Sequence, residues 1–249
     1  MKSYNVDSFQ KFHKVVQGYD EDTIYRGVSR CSFKLIPKVG RKYCSDNYNY
    51  NNKYNDLSDY ELDIIQKFRK LAFPFLDYSP SKEAEWWEWW AIAQHHGLPT
   101  RFLDWSINPL VAAYFAIEDC NQEEDAIVYA VDSNQFNSDI DFENYQLPLD
   151  VEEIFLYRPP HINKRITAQS GIFTIHNYPT LPLDETEKPS DKIVKKIGEK
   201  YNVDRIIISK GCKKELKKTL SLYGINKSTI YPGLDGIASY LEWKTLDCH

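Results

Sequence analysis

The sequence predicts an α+β protein, a single mixed domain spanning residues 1–249. Three observations lead there. Short β-branched and aromatic runs such as "TIYRGVS", "DAIVYAVD" and "DRIIIS" recur from one end of the chain to the other. Helical apolar patterns are interspersed among them. The chain is 42% hydrophobic over 249 residues, enough to bury a substantial core, and no repeat or linker divides it.

Taken in order, "DSFQKFHKVVQG" places Phe9, Phe12, His13 and Val16 at helical spacing, with Asp7 or Ser8 as cap and Gly18 as stop. "TIYRGVS" is a strand. Residues 43–55 are rich in Asn and Tyr without a period and are expected to form an inserted loop. "SDYELDIIQKFRKLA" opens with the spacing of a capping box, Ser58 and Glu61, and carries an apolar stripe through Ile64, Ile65, Phe68 and Leu71. "SKEAEWWEWWAIAQHHG" is apolar on nearly every side, so it belongs in the middle of the fold. "TRFLDWS" is a strand, and "NPLVAAYFAIED" a helix capped by Asn108 with Pro109 in its first turn. "DAIVYAVD", "QSGIFTIH" and "DRIIIS" complete the strands. Helices are expected over "SDKIVKKIGEKY", "CKKELKKTLSLYGI" and "DGIASYLEW".

Composition narrows the function. A net charge of −5 excludes a wholly electrostatic nucleic-acid binder. Cys31, Cys44, Cys120, Cys212 and Cys248 are odd in number, scattered and without metal spacing, the pattern of free thiols in a reducing cytoplasm. No run is long enough to cross a membrane, and the polar N-terminus has no signal-peptide core. We expect a soluble cytoplasmic protein without a metal. There is no Walker loop, GxGxxG, GxSxG or HExxH.

Several polar residues stand where polarity is costly. Arg26 lies mid-strand, so its guanidinium needs either a structural carboxylate or a ligand phosphate or ribose. Gly27 beside it admits the close approach of a ligand or another backbone. "QHHGLPTRFLDWS" brings Gln94, His95, His96, Thr100, Arg101, Asp104 and Trp105 to the end of an apolar helix. Pairing of Asp104 with Arg101 would satisfy them internally; together they also suit the wall of a site. Arg165 is either a surface residue or an anion ligand. Lys210, Lys213, Lys214, Lys217 and Lys218 share one helical face, a solvated stripe or a contact for nucleic acid or an acidic partner.

The segments "YRG" at 25–27, "AQHHGLPTRFLDWSINPLVAAYFA" at 93–116, "RITAQSGIF" at 165–173 and "YPGLDGIASYL" at 231–241 resemble, in this order, the FRG domain family. The order is also similar, more distantly, to the ADP-ribosyltransferase fold. That resemblance implies a split sheet with flanking helices and NAD as cosubstrate. It places Arg26 on NAD phosphate or ribose, with Tyr25 or Trp105 stacking. Asp104, Trp105 and Ser106 fall in the Ser-Thr-Ser places of the fold's second element, and Gln169 falls where the third usually offers a glutamate. His95, Gly27, Thr100, Arg101 and Arg165 would complete the site, with Asp104 and His95 shaping or polarising it. Replacing that glutamate by an amide removes a charge opposite a cationic ribosyl species, a loss of about 3–4 kcal/mol or about 10²–10³ in rate.

The expected activity is transfer of ADP-ribose to a macromolecular acceptor, protein or nucleic acid, or NAD hydrolysis, in a bacterial toxin or phage-defence setting. The rival readings are a non-catalytic module binding nucleic acid or protein through Lys213, Lys214, Lys217 and Lys218, and a metal-independent nuclease using His95 and His96.

Overall fold

The computed structural model describes residues 1–43, 54–75, 80, 84–120, 123–159, 168–185 and 200–246. Seven strands form one mixed sheet: β1 (Ser3–Val6), β2 (Thr23–Val28), β3 (Phe102–Ser106), β4 (Ala126–Asp132), β5 (Phe155–Tyr157), β6 (Gly171–Ile175) and β7 (Val203–Ile208). Their spatial order is β1-β7-β4-β2-β3-β6-β5, with β1 and β7 parallel and every other neighbouring pair antiparallel. Strand β4 is the middle of the larger wing, and six of its seven residues are buried, as its unbroken apolar run requires.

Eight described helices flank the sheet: α1 (Phe9–Val16), α2 (Lys38–Tyr43), α3 (Leu57–Ala72), α4 (Glu85–His95), α5 (Pro109–Ile117), α6 (Lys213–Leu222), α7 (Lys227–Ile230) and α8 (Leu234–Leu246). Side chains alternate faces along each strand, so Ile24 and Tyr25 enter different clusters. Tyr25 joins Phe12, Val111, Val128 and Leu216 under α1, α5 and α6. Ile24 joins Leu103, Trp105, Ile127 and Val203 on the opposite face. A third cluster packs Ile65 of α3 and Trp87 and Trp90 of α4 on Phe102, Phe155 and Phe173.

The caps expected for α1 and α5 are in place: Ser8 accepts from the Lys11 amide at 3.4 Å, and Asn108 from the Leu110 amide at 2.9 Å. The cap of α3 differs from expectation. Asp56 accepts from the Asp59 amide at 2.9 Å, leaving Ser58 and Glu61 inside the helix with another task. Strands β1 and β5 and helices α2 and α7 were not legible in the sequence. Strand β1, "SYNV", is an edge strand that pairs, among the described residues, with β7 alone, and Val6 is its one fully buried side chain. Residues 44–53 of the Asn/Tyr-rich segment and 190–199 of the charged helix expected near the C-terminus lie outside the described residues. Cys31, Cys120 and Cys212 are free thiols, and no described helix is long and apolar enough to cross a membrane.

The sheet has one weak seam. Strands β2 and β3 share a single register pair, Tyr25 with Ser106, whereas β2 and β4 share six. The wings are thus hinged on one pair within a continuous sheet, and the candidate site lies there.

Candidate functional site

Past the Tyr25–Ser106 pair the seam opens into a cleft of about 380 Å³. Its polar wall starts with Arg26 and Asp104. The Arg26 Nη1 donates to the Asp104 backbone oxygen at 2.6 Å and to Asp104 Oδ2 at 3.2 Å, filling part of the gap that backbone pairing leaves. The arginine side chain is only 15% exposed and the aspartate 49%, so the carboxylate faces the cleft while its partner is sunk into the seam. Gln94, at the end of α4, donates to the same Oδ2 at 2.9 Å. Thr100 donates to Gln94 Oε1 at 2.6 Å and accepts from the Phe102 amide at 3.1 Å. Arginine, carboxylate, amide and hydroxyl thus form one chain from cleft to core, which fixes the Asp104 rotamer.

Gln169 approaches from the opposite side. Its backbone oxygen accepts from Ser106 Oγ at 2.8 Å, and its side-chain amide donates to the Ile230 carbonyl at 3.2 Å. Ser170 follows with φ at 48°, a left-handed conformation uncommon for a non-glycine residue, and its carbonyl accepts from the Ile107 amide at 3.2 Å. This tight corner sets Gln169 and Gly171 in the cleft wall. Arg165 lies outside the described residues.

Other expected site residues have structural duties. Arg101 is the clearest correction: its guanidinium is 3% exposed and Nε donates to Glu61 Oε2 at 3.0 Å. Glu61 also accepts from the Arg101 amide at 2.8 Å and from Trp90 Nε1 at 2.9 Å, while Ser58 accepts from Arg101 Nη2 at 3.1 Å. Ser58 and Glu61, spaced like a capping box, are therefore the partners of Arg101, with Glu61 fully buried, and Asp104 pairs with Arg26 instead. Thr100 is fully buried and acts through Gln94. Trp105 is 3% exposed and its Nε1 donates to Thr174 at 2.9 Å, so the indole is fixed in the wall and is no free stacking platform. Tyr25 is likewise sunk in the core beside Tyr19. Gly27 serves a backbone: a Cβ there would stand 1.9 Å from the Ala112 carbonyl oxygen, so α5 seats directly on β2.

The lysine stripe is also broken. Lys213 is fully buried, and its Nζ donates to the Glu124 carbonyl at 2.5 Å. Lys217 donates to the Glu118 carbonyl at 2.7 Å. The two lysines best placed to define a nucleic-acid contact instead tie α6 to neighbouring loops. His95 lines the cleft, while exposed His96 meets it edge-on, ring centroids 5.3 Å apart. His96 is not among the residues that line the cleft, so the cleft wall does not offer the pair of histidines that a general acid and base would need.

Phe33, Phe115 and Arg41 are among the cleft residues that had no distinguishing signal in the sequence. Phe33 is 44% exposed and its carbonyl accepts from the Tyr129 hydroxyl at 3.1 Å, giving the cleft an accessible anchored aromatic. Arg41 comes from α2. Partial desolvation, then the nearby Arg26, lowers its pKa, and Asp104 opposes that shift; it remains a cation. Among the described lining residues, Asp104 is the sole carboxylate.

Residues 21–125 match the FRG domain. The matched FRG segment contains Arg26, Gln94, Asp104 and the β2–β3 seam; Gln169 and the α7 carbonyl it holds lie beyond it. Comparison with curated proteins and with solved structures gives no match.

Proposed function

We propose that this FRG-domain chain is an NAD-using, ADP-ribosyltransferase-like protein whose nucleotide site is the cleft at the β2–β3 seam. The observation that carries the reading is Asp104, a carboxylate held by Arg26 and Gln94 on the wall of a ligand-sized cleft. A volume of about 380 Å³ suits a small-molecule site. Phe33 offers a ring face, and Gln169 an amide for ribose hydroxyls.

In this chemistry the C1′–N bond to nicotinamide breaks, and its electron pair leaves with nicotinamide. The ribosyl carbon is then cationic. Asp104 takes the part for which the third element, with Gln169, provides no charge: its carboxylate stabilises that cation. Arg26 and Gln94 are positioning residues that keep the carboxylate aimed. A nucleophilic atom of a protein or nucleic-acid acceptor, or of water, forms the new bond to C1′ and releases its proton to solvent. The reading needs no metal ion. Free thiols suit a cytoplasmic setting, and the activity fits an effector in conflict between bacteria and phages.

Nicotinamide release from NAD, measured with protein and nucleic acid present, tests the reading. Wild type should release nicotinamide, and Asp104→Asn should lower the rate by about 10²–10³. No release by wild type, or equal release by Asp104→Asn, would overturn it.

A further inference from the structure

Arg26 is the residue that motif resemblance assigns to NAD phosphate or ribose, yet its Nη1 is engaged by Asp104, both at the backbone oxygen and at the carboxylate. The cleft has a second cation. Arg41 is exposed and lines the same cleft, and its side chain has no hydrogen-bond or ion-pair partner among the described residues. The lining thus carries two arginines and one carboxylate, with the carboxylate's ion pair spent on Arg26.

The backbone under Arg41 is unusually fixed for a surface arginine. Three consecutive residues of α2 anchor it. Lys38 Nζ donates to the Gly97 carbonyl at 2.6 Å. Val39 is fully buried and its amide donates to the Thr100 carbonyl at 3.2 Å. Gly40 packs so tightly on Pro179 that a Cβ would lie 1.7 Å from the Pro179 oxygen. Gly97 and Thr100 belong to the corner that also carries Gln94, so α2 and the Asp104 network share one foundation. A solvent-facing arginine whose α-carbon is locked at the edge of a cleft loses little freedom on binding. Its planar fork suits two phosphate oxygens at once.

We infer that Arg41, rather than Arg26, is the phosphate-binding side chain of the cleft, and that the cleft selects phosphorylated nucleotides over nucleosides. This rests on reading the cleft as a nucleotide site but not on turnover there. Partial desolvation and the proximity of Arg26 make the Arg41 cation slightly less comfortable than in water, a burden that a bound anion relieves.

Calorimetric titration of the whole chain with ADP and with adenosine tests this. Wild type should bind ADP about 10- to 100-fold more tightly than adenosine, the range for one or two charge-assisted hydrogen bonds. Arg41→Ala should remove most of that difference and leave adenosine binding unchanged. Arg41→Lys, a point charge without the fork, should fall between. Thermal melting should be unchanged by either substitution, and Arg41→Gln, closer in length, replaces Arg41→Ala if it is not. Equal binding of ADP by wild type and Arg41→Ala, equal binding of ADP and adenosine by wild type, or binding of neither, would overturn the inference. The two proposals fail separately. ADP binding that needs Arg41 without nicotinamide release removes only the transferase reading; release that needs Asp104 but is indifferent to Arg41 removes only this one.

Discussion

At the scale of single residues, the polar groups near the seam divide by burial. Asp104 and Arg41 meet solvent, while Arg101, Thr100 and His176 do not. His176 follows β6, and its Nε2 lies 3.0 Å from the Thr174 hydroxyl that also accepts from Trp105. Burial, then Arg101 and Arg26, holds its pKa down to about 3, against 6.5 for a free histidine. Between those values the unfolded chain binds the extra proton. Stability is therefore complete above about pH 6.5 and is lost as pH falls towards 3. At pH 5 the expected loss from this group is about 2 kcal/mol relative to pH 7. Denaturant titrations of wild type and His176→Gln should converge as pH falls from 7 to 5, because the variant lacks that proton. Parallel decline of the two would contradict the assignment.

At the scale of elements, the Glu61–Arg101 pair joins α3, α4 and β3 where none of them could close the core alone. Removing one partner leaves the other charged and buried. Arg101→Ala should destabilise the fold by about 3–5 kcal/mol in chemical denaturation; a loss below about 1 kcal/mol would show the pair to be dispensable. This pair also marks what the sequence hides. Ser58 and Glu61 have the spacing of a capping box, but a pattern of four residues carries no record of Arg101 forty positions on. Helix α5 was legible because its signals are local: an Asn cap, a proline and an unbroken apolar run. Helix α2 was not, since its reason to be helical lies in Gly97, Thr100 and Pro179. For the same reason Arg26 and Asp104 could be picked out singly from the sequence, whereas their pairing, and the presence of Arg41 beside them, required the tertiary fold.

At the scale of the whole molecule, the sheet is continuous but unevenly tied. Six register pairs hold β2 to β4 and five hold β3 to β6, against one between β2 and β3. The alternating apolar strands made a mixed sheet legible, yet strand order depends on contacts between distant segments. The order places the seam between "YRG" and "FLDWS", the two segments whose polar residues stood out in the sequence, and this is why they meet. A cleft at such a seam can open or tighten with little loss of backbone pairing, which suits it to the ligand recognition proposed above. The central question is whether the seam holds NAD. A crystal structure of the chain with an NAD analogue carrying a methylene in place of the ribose ring oxygen, which resists cleavage, is the most direct measurement. Analogue bound in the cleft, its phosphate on Arg41 and its ribose beside Asp104 and Gln169, is the expected result. An empty cleft at saturating analogue, or analogue ordered elsewhere on the molecule, would contradict the account.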